Sequence, residues 1–340
     1  MLPKRAAAAA FAACLVAPCA ADAADAEIFA YRVTERIPAA DGGWDFASID
    51  PAGGKLYIAR SNAVTAIDLS RRKVVDKLAE AHRGHSVLVL DGGATLFETD
   101  GETGKGRFLS AADGRVIAEV VTGAKPDAAV FDPVSGRIAV MNAGEGTVAI
   151  IDPAAHTLLG KVAVAGGLEF AVADGKGGIY VNLEDAGAIA HIDLQAVTVT
   201  GRYALTGCDG PTGLAVAGNM LISACANGVA VVSAPAAGTV TATLPIGRDP
   251  DAVLLDQGRR LAFVPCGGSG TLVALDIRDP DHVVVAGTVK TQTGAKTGAI
   301  DPRDGRIYLP AATIAAPKPG ARRGKPIPGT FVVLVVAPTA

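Results

Sequence analysis

Seven short stretches of this chain bring polar side chains to what looks like one repeated position. They read Gly43-Trp44-Asp45-Phe46, Gly84-His85-Ser86, Lys125-Pro126-Asp127, Leu168-Glu169-Phe170, Gly210-Pro211-Thr212, Asp249-Pro250-Asp251 and Ala295-Lys296-Thr297. The shared position thus carries Asp45, Ser86 or the adjacent His85, Asp127, Glu169, Thr212, Asp251 and Thr297. Four of the seven are carboxylates. Gathered around a low-dielectric funnel, they focus negative potential and can attract a cation, a sugar or a cationic peptide. The same side chains can instead cap strand ends or bind backbone N–H groups, and the sequence leaves both readings open.

Two kinds of chemistry follow if these residues meet. A hard divalent cation held by Asp45, Asp127, Glu169 and Asp251, with Asn142 and Asn182 as further oxygen donors, would activate water or polarise a carbonyl. His85 would then be the natural general base. Other signals are weaker. His82 and His85 are three apart, a spacing that also suits zinc or copper, although such loop pairs are commonly solvated. Gly101-Glu102-Thr103-Gly104-Lys105-Gly106 lacks phosphate-loop spacing and a following helix, so it reads as a hairpin turn. Aromatic residues make up only 4% of the chain, with one Trp, so base-stacking platforms are missing. A net charge of −3 argues against a nucleic-acid partner.

The elements that must position these residues recur about every forty residues. Phe131–Asn142, Leu255–Val264 and Ile300–Leu309 each read as strand, tight Asp/Gly/Pro turn, then a strand of alternating apolar residues. The turn Asp falls at Asp50, Asp91, Asp132, Asp174, Asp256 and Asp301, with a degenerate copy near Ala217. A second ruler of the same period runs Asp68, Ser110, Asp152, Asp193, Ser233, Asp276. Two rulers predict seven units beginning near Arg36, Glu80, Thr122, Ala165, Thr206, Gly247 and Thr291. The expected fold is an all-β, seven-bladed β-propeller with four-stranded blades. The last unit stops one strand short at Phe331–Val336, and the strand-like segment Ile28–Ile37 precedes the first. Pairing them closes the ring and removes an open sheet edge.

At the start of the chain, Lys4 and Arg5 precede an apolar run from Ala6 to Val16 and a small-residue stretch containing Ala21-Asp22-Ala23. This order predicts a signal peptide over residues 1–23, leaving 24–340 as a single propeller domain, periplasmic or secreted. The run is too short for a membrane span, which needs roughly 20 apolar residues, and no later segment qualifies. Cys14 and Cys19 leave with the signal. Cys208 and Cys225 sit on loops of one face of the fifth unit and can be joined, with Cys225–Cys266 as the rival pairing; either leaves one thiol over. The stretch 310–330 replaces a short hairpin with a long loop bearing Lys318, Arg322, Arg323 and Lys325, predicted to form a basic flap over the acidic mouth.

The phrases Ala139–Asn142 with Thr147–Asp152, and Tyr180–Asn182 with Ala188–Asp193, resemble the YVTN-repeat propellers, including the YncE-like periplasmic proteins. The resemblance runs from about Ala24 to Ala337, with departures at Phe97-Glu98-Thr99 and Ile222-Ser223-Ala224. It implies an exported, soluble scaffold, expected to be a monomer, that binds a small molecule or an exported protein through its funnel face without established catalysis. On this reading Trp44, Asp45, His85, Asp127, Glu169, Thr212, Asp251 and Thr297 form the binding face, and a divalent cation is the candidate cofactor. The alternative is a metal-dependent lactonase-type hydrolase working at the same mouth.

Overall fold

The computed structural model describes residues 30–316 and 324–339 and forms seven four-stranded antiparallel sheets in a ring. The expected signal segment, Ile28 and Phe29, and the flap residues Lys318, Arg322 and Arg323 lie outside the described residues. Blade 1 is built from Trp44–Asp50, Lys55–Arg60, Ala63–Asp68 and Lys73–Glu80. The innermost strands of blades 2 to 7 are Gly84–Leu90, Pro126–Asp132, Leu168–Ala173, Pro211–Ala217, Leu254–Asp256 and Ala299–Ile300.

The periodic carboxylates explain the repeat. At the turn after each inner strand, Asp50, Asp132, Asp174, Asp256 and Asp301 accept backbone N–H groups two to four residues on, as in Ser135 N to Asp132 Oδ2 at 2.7 Å. The second ruler does the same: Asp68, Asp152, Asp193 and Asp276 accept the turn N–H groups that follow them. Asp is selected there because its short side chain satisfies a turn that the strand ladder leaves unpaired. Asp91 departs from the pattern. It takes a left-handed φ of 50° in a short 3-10 turn over Asp91–Gly93.

Apolar residues collect at the seams between blades, one cluster per neighbouring pair around the circle. Middle strands such as Met220–Cys225 are buried throughout, whereas the outer strand Thr198–Ala204 alternates exposed and half-buried. The ring closes as expected. Tyr31–Pro38 pairs antiparallel with Val332–Pro338, from Tyr31 opposite Pro338 to Pro38 opposite Val332, with a one-residue register shift between Val33 and Glu35. One cluster crosses the axis: Phe46 of blade 1 meets Phe170 of blade 4 at 4.9 Å between ring centroids.

Candidate functional site

A repeated turn feeds each inner strand. The residue two before the shared position adopts a left-handed backbone at Arg83, Lys125, Gly210 and Asp249, with φ of 63°, 51°, 59° and 49°. Its carbonyl accepts an N–H from the loop between the second and third strands: Gly101 to Arg83, Ala143 to Lys125, Ala226 to Gly210 and Gly267 to Asp249. Gly43 and Gly167 accept the same bond from Ser61 and Glu184. The left-handed kink costs a non-glycine residue roughly 1–2 kcal/mol. It turns the side chain that follows towards the axis.

Blade 1 adds a separate device. Arg60, 2% exposed, donates to the carbonyls of Ala40, Gly42 and Gly43 and lies 3.8 Å over the Phe331 ring. Burial lowers its pKa to about 10, against the raising pull of Asp76 and Asp41. Arg60 therefore ties down the loop that delivers Trp44 and Asp45.

These turns bring Asp45, His85, Asp127, Glu169, Thr212 and Asp251 around one cavity of about 230 Å³. Phe46 also lines it, one residue deeper than Asp45, and its contact with Phe170 makes an aromatic floor. The cavity is thus a cup over the axis. His85 Nδ1 lies 2.7 Å from Asp45 Oδ2 and 3.5 Å from Asp127 Oδ1. The opposite edge of its ring rests on Gly101, where a Cβ would come within 2.9 Å of Cδ2.

The electrostatics reflect the floor. Burial pushes Asp127 up to about 6, and the Asp45 and Asp251 charges add to this while His85 and Lys296 oppose it. Glu169 is driven far above the usual carboxylate range by burial, by the charges of Asp127 and Asp251, and by its hydrogen bond to Glu184. For His85, burial favours the neutral ring, but the Asp45 hydrogen bond and the Asp127 charge outweigh it and raise the pKa.

Three lining residues escaped the sequence reading: Glu184, Asp249 and Lys296. Lys296 forms an ion pair with Asp251 and takes the place expected for Thr297. Thr297 is fully buried, and its hydroxyl donates to the Asp45 carbonyl at 2.8 Å. A one-residue difference in a strand turns a side chain to the other face. Ser86 is likewise buried while His85 faces the cup. Thr212 reaches the wall, but its hydroxyl is engaged with the carbonyls of Ala224 and Pro250. The cations that offset the carboxylates inside the cup are therefore His85 and Lys296, on the inner-strand entrances themselves.

Trp44 stands apart from the cup. It packs on Phe331 and lines a neighbouring cavity of about 520 Å³, walled by Ile314–Ala316, Gly324 and Pro326 and meeting the cup at Asp249 and Lys296. Ile314 and Pro326 form an isolated antiparallel bridge, and Lys325 is exposed.

Asn142 and Asn182 are fully buried in the seams. Their amide nitrogens donate to the Thr122 carbonyl and to the Thr212 and Gly213 carbonyls, and Asn182 Oδ1 accepts from Ser223. Neither borders the cup, so the oxygen set proposed for a hydrolase loses two members and that reading finds no support. His82 turns away to Asp100 at 3.0 Å and shares no site with His85. Cys208 and Cys225 are joined, with Cα atoms 5.4 Å apart, and Cys266 is free and buried. Burial raises the Cys266 thiol to about 11, which makes it unreactive.

No protein-family model matches the chain, and no curated protein matches it. Solved structures match its fold. A chain of the Kuenenia stuttgartiensis hydrazine synthase superposes with a TM-score of 0.68 at 16% identity, covering 79% of this chain and 92% of its own. U3-55K gives 0.73 at 8%, covering 91% and 98%. A chain of the Mitotic Checkpoint Complex gives 0.72 at 13%, covering 90% and 96%. At these identities the likeness is one of fold, the seven-bladed propeller.

Proposed function

We propose that this chain is an exported propeller of the YVTN-repeat type that binds a ligand or partner by taking a positively charged group into the cup. One observation carries the reading. Asp45, Asp127, Glu169, Glu184, Asp249 and Asp251 converge with His85 and Lys296 on one cavity, where burial and the neighbouring carboxylates push Asp127 up to about 6 and drive Glu169 far above the usual range. A cationic group entering the cup relieves that repulsion, at a partly buried site where screening by water is weak and attraction for a cation is strong. The repeat phrases support the YVTN assignment. The charged-then-apolar N-terminus and the Cys208–Cys225 bridge support an oxidising, extracytoplasmic setting. That one neighbour of similar fold comes from a multi-protein complex is in keeping with a scaffold role.

Calorimetric titration with 1,4-diaminobutane and with the peptide Gly-Arg-Gly tests this. The expected result is saturable binding of at least one of them, weakened tenfold or more by combined Asp249→Asn and Asp251→Asn. Equal affinity in parent and variant, or no binding of either probe, overturns it.

A further inference from the structure

The geometry points to a divalent transition-metal site within the cup, formed by Asp45, His85 and Asp127, an inference that rests on reading the cup as a cation receptor. The three residues come from consecutive blades at the same position of the repeat, and one donor atom from each lies within 4.8 Å of the others. Around a zinc ion with bonds of about 2.1 Å, tetrahedral donors stand about 3.4 Å apart. The His85–Asp127 separation of 3.5 Å already meets this, and the 2.7 Å His85–Asp45 contact opens slightly when a metal replaces the shared proton.

A second observation, independent of the side-chain cluster, is that the backbones bearing these donors are fixed by seam hydroxyls. Thr297 Oγ1 donates to the Asp45 carbonyl, and Thr99 Oγ1 donates to the Asp127 carbonyl, both at 2.8 Å. Thr99 Oγ1 also accepts the N–H of Ser86, next to His85, at 2.9 Å. The His85 ring is braced on Gly101, so the backbones of all three donors and the imidazole plane are in place before any ion arrives. These bonds reduce the rearrangement that binding an ion requires, because the chain that carries the donors is already in place. The cup supplies room for water on the open side of the ion.

The donor set selects the metal. One imidazole nitrogen and two carboxylate oxygens suit Zn²⁺, Mn²⁺ or Fe²⁺, whereas Ca²⁺ and Mg²⁺ favour all-oxygen shells of six or more. The four-carboxylate arrangement does not compete, because Asp251 is occupied by Lys296 and Glu169 by Glu184.

The test is calorimetry of the chelator-treated full chain with Zn²⁺, then with Ca²⁺. One Zn²⁺ per chain is expected, with affinity lowered a hundredfold or more in both His85→Ala and Asp127→Asn, and no saturable Ca²⁺ heat. Asp249→Asn with Asp251→Asn should keep Zn²⁺ while losing the diamine, and His85→Ala and Asp127→Asn should each keep the parent's far-UV circular dichroism spectrum and a single cooperative urea transition, which shows that each variant is folded. Zn²⁺ bound equally by parent and His85→Ala, or matched by Ca²⁺, overturns the site. Diamine binding without Zn²⁺ binding refutes the metal and leaves the cation-receptor reading standing. If neither binds, both fall.

Discussion

The strand Pro126–Asp132 carries two aspartates that live in opposite electrostatic worlds. At its turn end, Asp132 is fully buried yet accepts the Ser135 N–H at 2.7 Å. At its mouth end, Asp127 faces other carboxylates over an aromatic floor and rises to about 6. The same division runs around the ring. Asp276 is held below its ordinary range by the Arg278 guanidinium and, after the opposing effect of burial, by the Arg278 N–H. At Asp301 burial works the other way, and Arg303 overcomes it. Turn carboxylates are supplied with donors by the fold. Mouth carboxylates crowd against one another and share His85 and Lys296. A group that costs stability and has no repeat-structural task is where a ligand can provide the missing interaction.

Three measurements would break or sharpen this contrast. The largest effect belongs to the framework. Replacing Cys208 and Cys225 with Ser should cost about 3 kcal/mol of loop entropy and lower Tm by roughly 6 °C. Diamine affinity should stay as in the parent, although the bridge lies beside Ala226 on the cup wall. A non-reducing peptide map should show the 208–225 link and an unbonded Cys266, and a Cys225–Cys266 link would contradict the structure. Next, Asp132→Ala should cost about 2 kcal/mol by leaving a turn N–H unsatisfied, whereas Asp127→Asn should leave Tm unchanged or slightly higher. Equal losses would erase the distinction. The smallest effect is on pH dependence. Glu169 keeps its proton in the folded chain at pH values where the unfolded chain has lost it. Stability from this site is therefore complete below the ordinary glutamate range and is lost as pH rises through the folded value. Urea midpoints should fall between pH 5 and pH 8.5 more steeply in the parent than in Glu169→Gln.

Blade number and ring closure were legible because they rest on local demands: a short acceptor at each turn, and alternation along each strand. Within the cup, repeat spacing located Asp45, His85 and Glu169, and the register was clearest where the entrance turn carries a proline. Pro126, Pro211 and Pro250 precede Asp127, Thr212 and Asp251 and fix their register. Ala295 offers no such mark before a two-residue inner strand, so Lys296 and Thr297 could not be told apart, and the cation of the cup was missed. Glu184 enters from a 3-10 turn over Glu184–Ala186 that breaks the hairpin pattern. Asn142 and Asn182 stand out in the repeat phrase, but the seams use them, which spacing alone does not reveal. The Phe46–Phe170 contact joins blades that are not neighbours, so no periodic signal records it.

The pairing of Tyr31 with Pro338 also has a consequence in time. Six blades are nearly local objects, each made of strands joined by short turns. The seventh sheet needs both ends of the described chain, and its outer strand has no partner until the last strand has been made. Loop closure over that span must be met before the edge bonds return anything, so completion of the seventh blade is expected to be the slow step of folding. Until then Tyr31–Pro38 and the edge of Val332–Pro338 remain open to foreign strands, and this interval is when a newly made chain is most exposed to aggregation.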